Sequence, residues 1–300
     1  MKAILSAMIL AAAFAAASPA RALEAFACEP DWASLLEELG AGHVETYTAI
    51  NAHQDPHYIQ ARPSLIAHVR NADLLVCSGA QLEIGWLPLL LRRSTNSKVQ
   101  PGQPGYFLAA DQVRKIEVPS QIDRAQGDIH PEGNPHVQLD PRNIKFIARA
   151  LSQRLKQIDA ANAADYDSAL SDFQKRWDEA SEKWEQRART LRGLRVVAHH
   201  VSFSYLLRWL HMDYAGTLEP KPGVPPTSSH LSELLSDLKA NPPAAIIRAP
   251  YQDPKPSEWL SERLGVPAIV LPYTVGGAEG ADDLFGLYDV TLDRLEEVAK

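Results

Sequence analysis

Three hundred residues, 45% of them hydrophobic, are chain enough to bury a large core and to form two domains of ordinary size, which excludes wholesale disorder. The formal charge is −7 and no dense Lys/Arg run appears, so nucleic acid, which needs a basic face, is excluded as the partner. Acidic character suits the attraction of a cation instead.

The first stretch, residues 1–22, begins with Lys2, runs apolar to Ala17 and ends in Ala20-Arg21-Ala22, the pattern of a secretory leader with a small-x-small cleavage site. The apolar run is short for a spanning helix and Pro19 interrupts it, so a cleaved leader is favoured over a membrane anchor. Acylation at Cys28 is disfavoured because the better cleavage site precedes it. The remaining chain is expected to be exported. In an oxidising compartment Cys28, in EAFAC, and Cys77, in ADLLVCSGA, fall on apolar segments that can be neighbouring strands. A disulfide between them is modestly favoured over two buried thiols.

After the leader, β-rich stretches alternate with helical patterns: VETYTAI (44–50), ADLLVCSG (72–79), RVVAHH (195–200), AAIIRAP (244–250) and PAIVLP (267–272). Such alternation predicts an α/β fold with parallel sheets covered by helices. Between the two sets, Tyr166, Leu170, Phe173, Trp177, Trp184, Ala188 and Leu191 recur at helical spacing, one apolar stripe on a long helix that Gly193 stops. Trp177 and Trp184 are read as packing against both lobes rather than as an aromatic ligand cage. The expected organisation is an N-terminal lobe over 23–155, a rigid connecting helix over 156–193 and a C-terminal lobe over 194–300. The site is then expected in the cleft between the lobes, beyond the carboxyl ends of the strands.

Three of the ten histidines fall on loops at that end. His57 lies in QDPHYIQARPS beyond the strand ending near Ile50. His136 lies in GNPHVQLDP, ahead of a helix expected to start at Asp140-Pro141, an N-cap followed by proline at the first position. His200 closes RVVAHH, and strand alternation allows only one of His199 and His200 to enter the cleft. Three neutral imidazoles suit zinc, and one carboxylate would complete a tetrahedral shell. Asp283 offers that carboxylate, with Asp282 or water as alternatives, although capping the last helix explains Asp283 equally well. His130, with Asp128 and Glu132 in DRAQGDIHPEG, is either an ordinary solvated loop residue or an early metal-capture group.

Six segments in this order, DPHYIQARPS, NADLLVCSGAQLEIGWLPLLL, GNPHVQLDP, AHHVSFSYLLRWL, GTLEPKPGVPPTSSHL and LPYTVGG, resemble the metal-specific solute-binding proteins of ABC transporters, the zinc and manganese cluster, and most closely the zinc-binding AztC/ZnuA type. The resemblance spans essentially the whole chain after the leader. It implies a bilobed fold with a rigid connecting helix, one metal ion between the lobes, and His57, His136 and His200 as ligands, with His200 chosen over His199. Many relatives carry an aspartate in the turn after the last strand, where this chain has Thr274. Zinc relatives often carry a long histidine-rich loop, where this chain supplies only His130.

The function expected from residues and resemblance together is a periplasmic Zn2+-binding protein, not an enzyme. As a monomer, it would present the ion to an ABC-transporter permease, with a periplasmic zinc metallochaperone as a further partner. The rivals are a manganese-binding relative, which would need more oxygen ligands, and an exported zinc hydrolase, which needs an open coordination position and a general base.

Overall fold

A computed structural model describes residues 21–121, 127 and 130–300; the leader expected over 1–22 lies outside them up to residue 20, as does Asp128. Two four-stranded parallel sheets form the two lobes. In the first, β1 (Leu23–Ala27), β2 (Val44–Thr48), β3 (Leu74–Cys77) and β4 (Tyr106–Leu108) stand in the order β2-β1-β3-β4, linked by α1 (Pro30–Leu39), α2 (Pro63–Asn71) and α3 (Leu87–Ser94). After α4 (Pro141–Ile158) and α5 (Ala163–Ala188), the second sheet repeats the plan. It comprises β5 (Arg195–Ala198), β6 (Asp213–Thr217), β7 (Ala245–Arg248) and β8 (Ala268–Val270), ordered β6-β5-β7-β8. Helices α6 (Ser204–Leu210), α7 (Ser228–Leu238) and α8 (Pro254–Leu264) make its crossovers, and α9 (Leu284–Val298) ends the chain.

The inner strands are short apolar runs because helices cover both of their faces. LLVC in β3 is buried throughout, and Val196, Val197 and Ala198 of β5 are equally inaccessible. Neither β4 nor β6 is expected from composition. The first is three residues long; the second, DYAGT, carries Asp and Gly, and its register with β5 shifts between Val196 and Val197.

The connecting element, α5, is 26 residues long, about seven turns, and a short 3₁₀ turn, Arg189–Leu191, follows it. Its apolar stripe is buried as expected at Tyr166, Phe173, Trp177, Trp184 and Ala188. Trp177 and Trp184 stack edge to face at 5.1 Å among Phe173, Phe285 and Tyr288, joining α5 to α9. Their indole N–H groups donate to Pro141 O (3.0 Å) and Asp289 Oδ1 (2.8 Å). Each such aromatic ring pair adds roughly 0.5–1.5 kcal/mol beyond its area.

Further buried hydrogen bonds tie lobe to lobe. Thr274 Oγ1 donates to Asp31 Oδ2 at 2.5 Å, and Val275 N donates to Asp31 Oδ1 at 3.3 Å. Tyr288 OH donates to Gln138 O, and Tyr205 OH donates to Asn134 O at 3.2 Å. Burial pushes the Asp31 carboxyl up to about 6 against these donors.

Between the parallel strands β1 and β3 the winding of the sheet switches direction, and a disulfide joins Cys28 to Cys77 across that point, with Cα atoms 4.8 Å apart. Beside it lie two buried carboxyls. Glu29 Oε2 accepts from Ser78 N (3.1 Å) and Ser78 Oγ (3.0 Å), while Glu83 Oε1 accepts from Ser78 N (2.8 Å) and Gly79 N (3.2 Å). Burial pushes Glu83 up to about 7; burial, and then the Glu83 charge, raises Glu29 well above the carboxylate range. Burial of two carboxyls in one dry site favours their protonated forms.

Candidate metal centre

His57 follows β2. An Asx turn sets its backbone: Asp55 Oδ1 accepts from His57 N at 3.0 Å and lies 2.7 Å from its ring Nδ1. The turn is pinned from below, because the buried Trp86 indole donates to Pro56 O at 2.8 Å. Burial works against the Asp55 charge, yet the hydrogen bonds and charge of His57 hold its carboxyl below the ordinary value.

His136 sits just ahead of a 3₁₀ turn, Val137–Leu139, that leads into α4, and Asp140 caps that helix with Pro141 behind it, as expected. Asn134 fixes the approach: its Oδ1 accepts from His136 N (3.0 Å), and its amide donates to Glu117 Oε2 (2.8 Å) and Val201 O (3.1 Å). The His136 ring is fully buried, with Nδ1 2.6 Å from Tyr273 OH.

His200 follows β5, and its Nδ1 lies 2.6 Å from Glu219 Oε2, which also accepts from Gly223 N at 2.9 Å. Its neighbour His199 is equally buried but is not part of the cluster that follows.

The three loops bring these rings to one point. One ligand nitrogen from each of His57, His136 and His200 lies within 4.8 Å of the others, and the ring centroids stand 5.8, 5.8 and 6.1 Å apart. With Nδ1 of each ring engaged, Nε2 is the atom aimed inward. Nε2 of His136 and of His200 is buried with no hydrogen-bond partner among the described residues. A buried, unpaired lone pair costs about 1–3 kcal/mol, a cost that a cation shared between two such nitrogens would remove. Burial, and after it the neighbouring imidazoles, pushes His136 well below its usual range, which keeps that ring neutral and competent to ligate.

Asp283 does not join the group. It is exposed, and its Oδ1 accepts from Gly286 N at 2.7 Å as the cap of α9, so of the two roles open to it the cap governs its placement. Asp282 is likewise exposed and outside the group, and Thr274 is turned into its bond with Asp31. No carboxylate belongs to the three-histidine group among the described residues. His130 adjoins it: its ring centroid is 5.4 Å from that of His57 and 6.1 Å from that of His136. A cleft of about 240 Å³ beside the group is lined by His57, His130, Tyr58 and Ile84, with neither His136 nor His200.

The partners of the outer nitrogens were not singled out by sequence. Asp55 had a readable signal, the Asp-x-His spacing of an Asx turn. Glu219 and Tyr273 had none, lying 19 and 137 residues from the rings they orient.

A family model of the periplasmic zinc-uptake complex component A matches residues 26–298. Among curated proteins, the metal ABC transporter substrate-binding lipoprotein ScbA of Streptococcus cristatus is 19% identical over 270 residues, 89% of this chain and 85% of its own length. The manganese ABC transporter substrate-binding lipoprotein PsaA of Streptococcus pneumoniae is 21% identical (89% and 85%), and the iron ABC transporter substrate-binding lipoprotein MtsA of Streptococcus pyogenes serotype M1 is 22% identical (88% and 85%). A crystal structure of ZnuA superposes with a TM-score of 0.76 at 21% identity, covering 92% of this chain and 98% of the other. The Cd-bound periplasmic metal-binding protein of candidatus liberibacter asiaticus superposes at 0.74 with 15% identity (92% and 99%).

Proposed function

We propose that this chain, which belongs to the family of the periplasmic zinc-uptake complex component A, carries Zn2+ to the membrane permease of an ABC transporter. The family consists of metal-binding, substrate-binding components of such transporters, so the ion is cargo. His57, His136 and His200 are the ligands in this reading, through Nε2. The observation that carries it is the convergence of three imidazoles whose Nδ1 atoms are each held by an oxygen, Asp55, Tyr273 or Glu219. Such outer partners fix tautomer and ring orientation in metal sites.

Relatives are named for iron and manganese as well as zinc, so the choice of zinc rests on the donors here. Neutral imidazole suits zinc, whereas manganese prefers oxygen-rich shells. The chain works in the periplasm in this reading. Cys28, whose sulfur is bridged to Cys77, is not available for acylation, which favours a cleaved leader over the lipid anchor named in the streptococcal relatives.

The test is a zinc titration of the purified protein against a chromophoric chelator, beside His200→Ala. One ion per chain and an affinity loss on the order of a hundredfold or more in the variant are expected. Unchanged affinity would remove His200 from the site.

A further inference from the structure

We propose, building on the metal-carrier reading above, that His130 is the fourth ligand, so that the cation is held by four imidazoles and no carboxylate. Its Nε2 lies 3.3 Å from Nε2 of His57. In a tetrahedral zinc site with Zn–N bonds of about 2.0–2.1 Å, neighbouring nitrogens sit roughly 3.3 Å apart, so this pair already spans one edge of the tetrahedron. The His130 ring also stands 6.1 Å from the His136 ring, the spacing between His136 and His200.

Without metal, the contact is an N–H···N hydrogen bond. Because His57 Nδ1–H is directed to Asp55, His57 Nε2 holds the lone pair and His130 Nε2 carries the hydrogen. When the ion arrives, that hydrogen passes to the far nitrogen of the His130 ring, and both lone pairs face the metal.

The backbone around His130 is built for this position. Gly127 (φ +88°) packs so closely on the carbonyl of Pro222 that an added Cβ would lie 2.2 Å from its oxygen, and Gly133 (φ +104°) packs likewise on Ile116 O, at 2.8 Å. Gly133 N donates to His130 O at 3.0 Å, closing the turn. Pro222 belongs to the loop that begins at Glu219, the residue that holds His200. Gly127, three residues before His130, therefore rests on the loop that orients another ligand.

The consequence is selectivity, since a shell of four nitrogens excludes the oxygen donors that manganese needs. X-ray absorption of the zinc-loaded full chain counts the ligands directly. Four imidazoles are expected in the unaltered protein; in His130→Ala, three and an oxygen, with zinc affinity lower by roughly tenfold or more. His130→Asp returns a fourth donor as oxygen and should narrow the preference for Zn2+ over Mn2+ by about tenfold or more, which a merely structural role would not do. Glu132→Gln should bind as the unaltered protein does. Three imidazoles in both the unaltered protein and His130→Ala, with equal affinities, would overturn the assignment while a loss in His200→Ala kept the carrier reading. A loss confined to Glu132→Gln would also overturn it, by putting a carboxylate in the fourth place. Absence of stoichiometric zinc in the unaltered protein would overturn both.

Discussion

Replacing Glu219 by Gln separates the orientation of a ligand from the ligand itself. Glu219 Oε2 sits 2.6 Å from His200 Nδ1 and accepts from Gly223 N at 2.9 Å, and its side chain is only 13% exposed, so little water stands ready to replace it. As a carboxylate it can only accept, which forces the hydrogen of a neutral His200 onto Nδ1 and leaves Nε2 free to bind. A glutamine amide can accept from Nδ1–H or donate to a bare Nδ1, and the second arrangement puts the hydrogen on Nε2, where no metal can bind. Equal population of the two tautomers alone costs about 0.4 kcal/mol in binding, the RT ln 2 of a half-populated competent state. Loss of the charge that strengthens the imidazole donor brings the total toward the 10- to 100-fold typical of such partners, or about 1.4–2.7 kcal/mol. Chelator competition with purified Glu219→Gln measures this, with circular dichroism of the metal-free protein confirming an intact fold. An unchanged Kd in a folded variant would refute the orienting role.

Stability should also depend on pH through the buried carboxyl pair beside the disulfide. Glu83 is raised from 4.5 to about 7, so its folded form holds a proton that the unfolded chain gives up; its contribution is complete below about pH 4.5 and is lost as pH rises through 7, at up to about 1.4 kcal/mol per pH unit. Denaturant unfolding of metal-free Glu83→Gln should show a flatter profile between pH 5 and 7, and the same slope as the unaltered protein would argue against a proton held on Glu83 in the folded state. Replacing Cys28 and Cys77 together by serine opens a loop 49 residues long, which chain entropy values at on the order of 4 kcal/mol. A melting temperature lower by several degrees should follow, and an equal one would mean the bridge constrains nothing in the unfolded chain.

Much of this architecture was legible because its signals are local. The apolar stripe on α5 and the Asp140-Pro141 start of α4 each depend on spacing within a few residues, and the structure carries both. The edge strands β4 and β6 were not legible, since three residues in one and an Asp and a Gly in the other carry no strand signature. Convergence of His57, His136 and His200 depends on crossover topology that no spacing encodes, and it was reached by placing each ring at the same end of the strands. Asp283 illustrates the opposite case. A local rule, the helix cap, and a long-range one, metal ligation, laid claim to the same carboxylate, and the cap describes where it lies. His130 carried only a weak signal, because a single histidine between glycines looks like any polar turn until the Pro222 loop is seen against it.

The two sheets share one strand order, so the polypeptide contains the same blueprint twice, each with a natural pocket where the winding reverses. In the first copy a disulfide between Cys28 and Cys77 ties the two strand ends together at that point. In the second copy the corresponding residue after β5 is His199, and the next, His200, belongs to the three-histidine group. A duplicated scaffold thus ends up with unlike halves, one a welded wall and the other half of a socket.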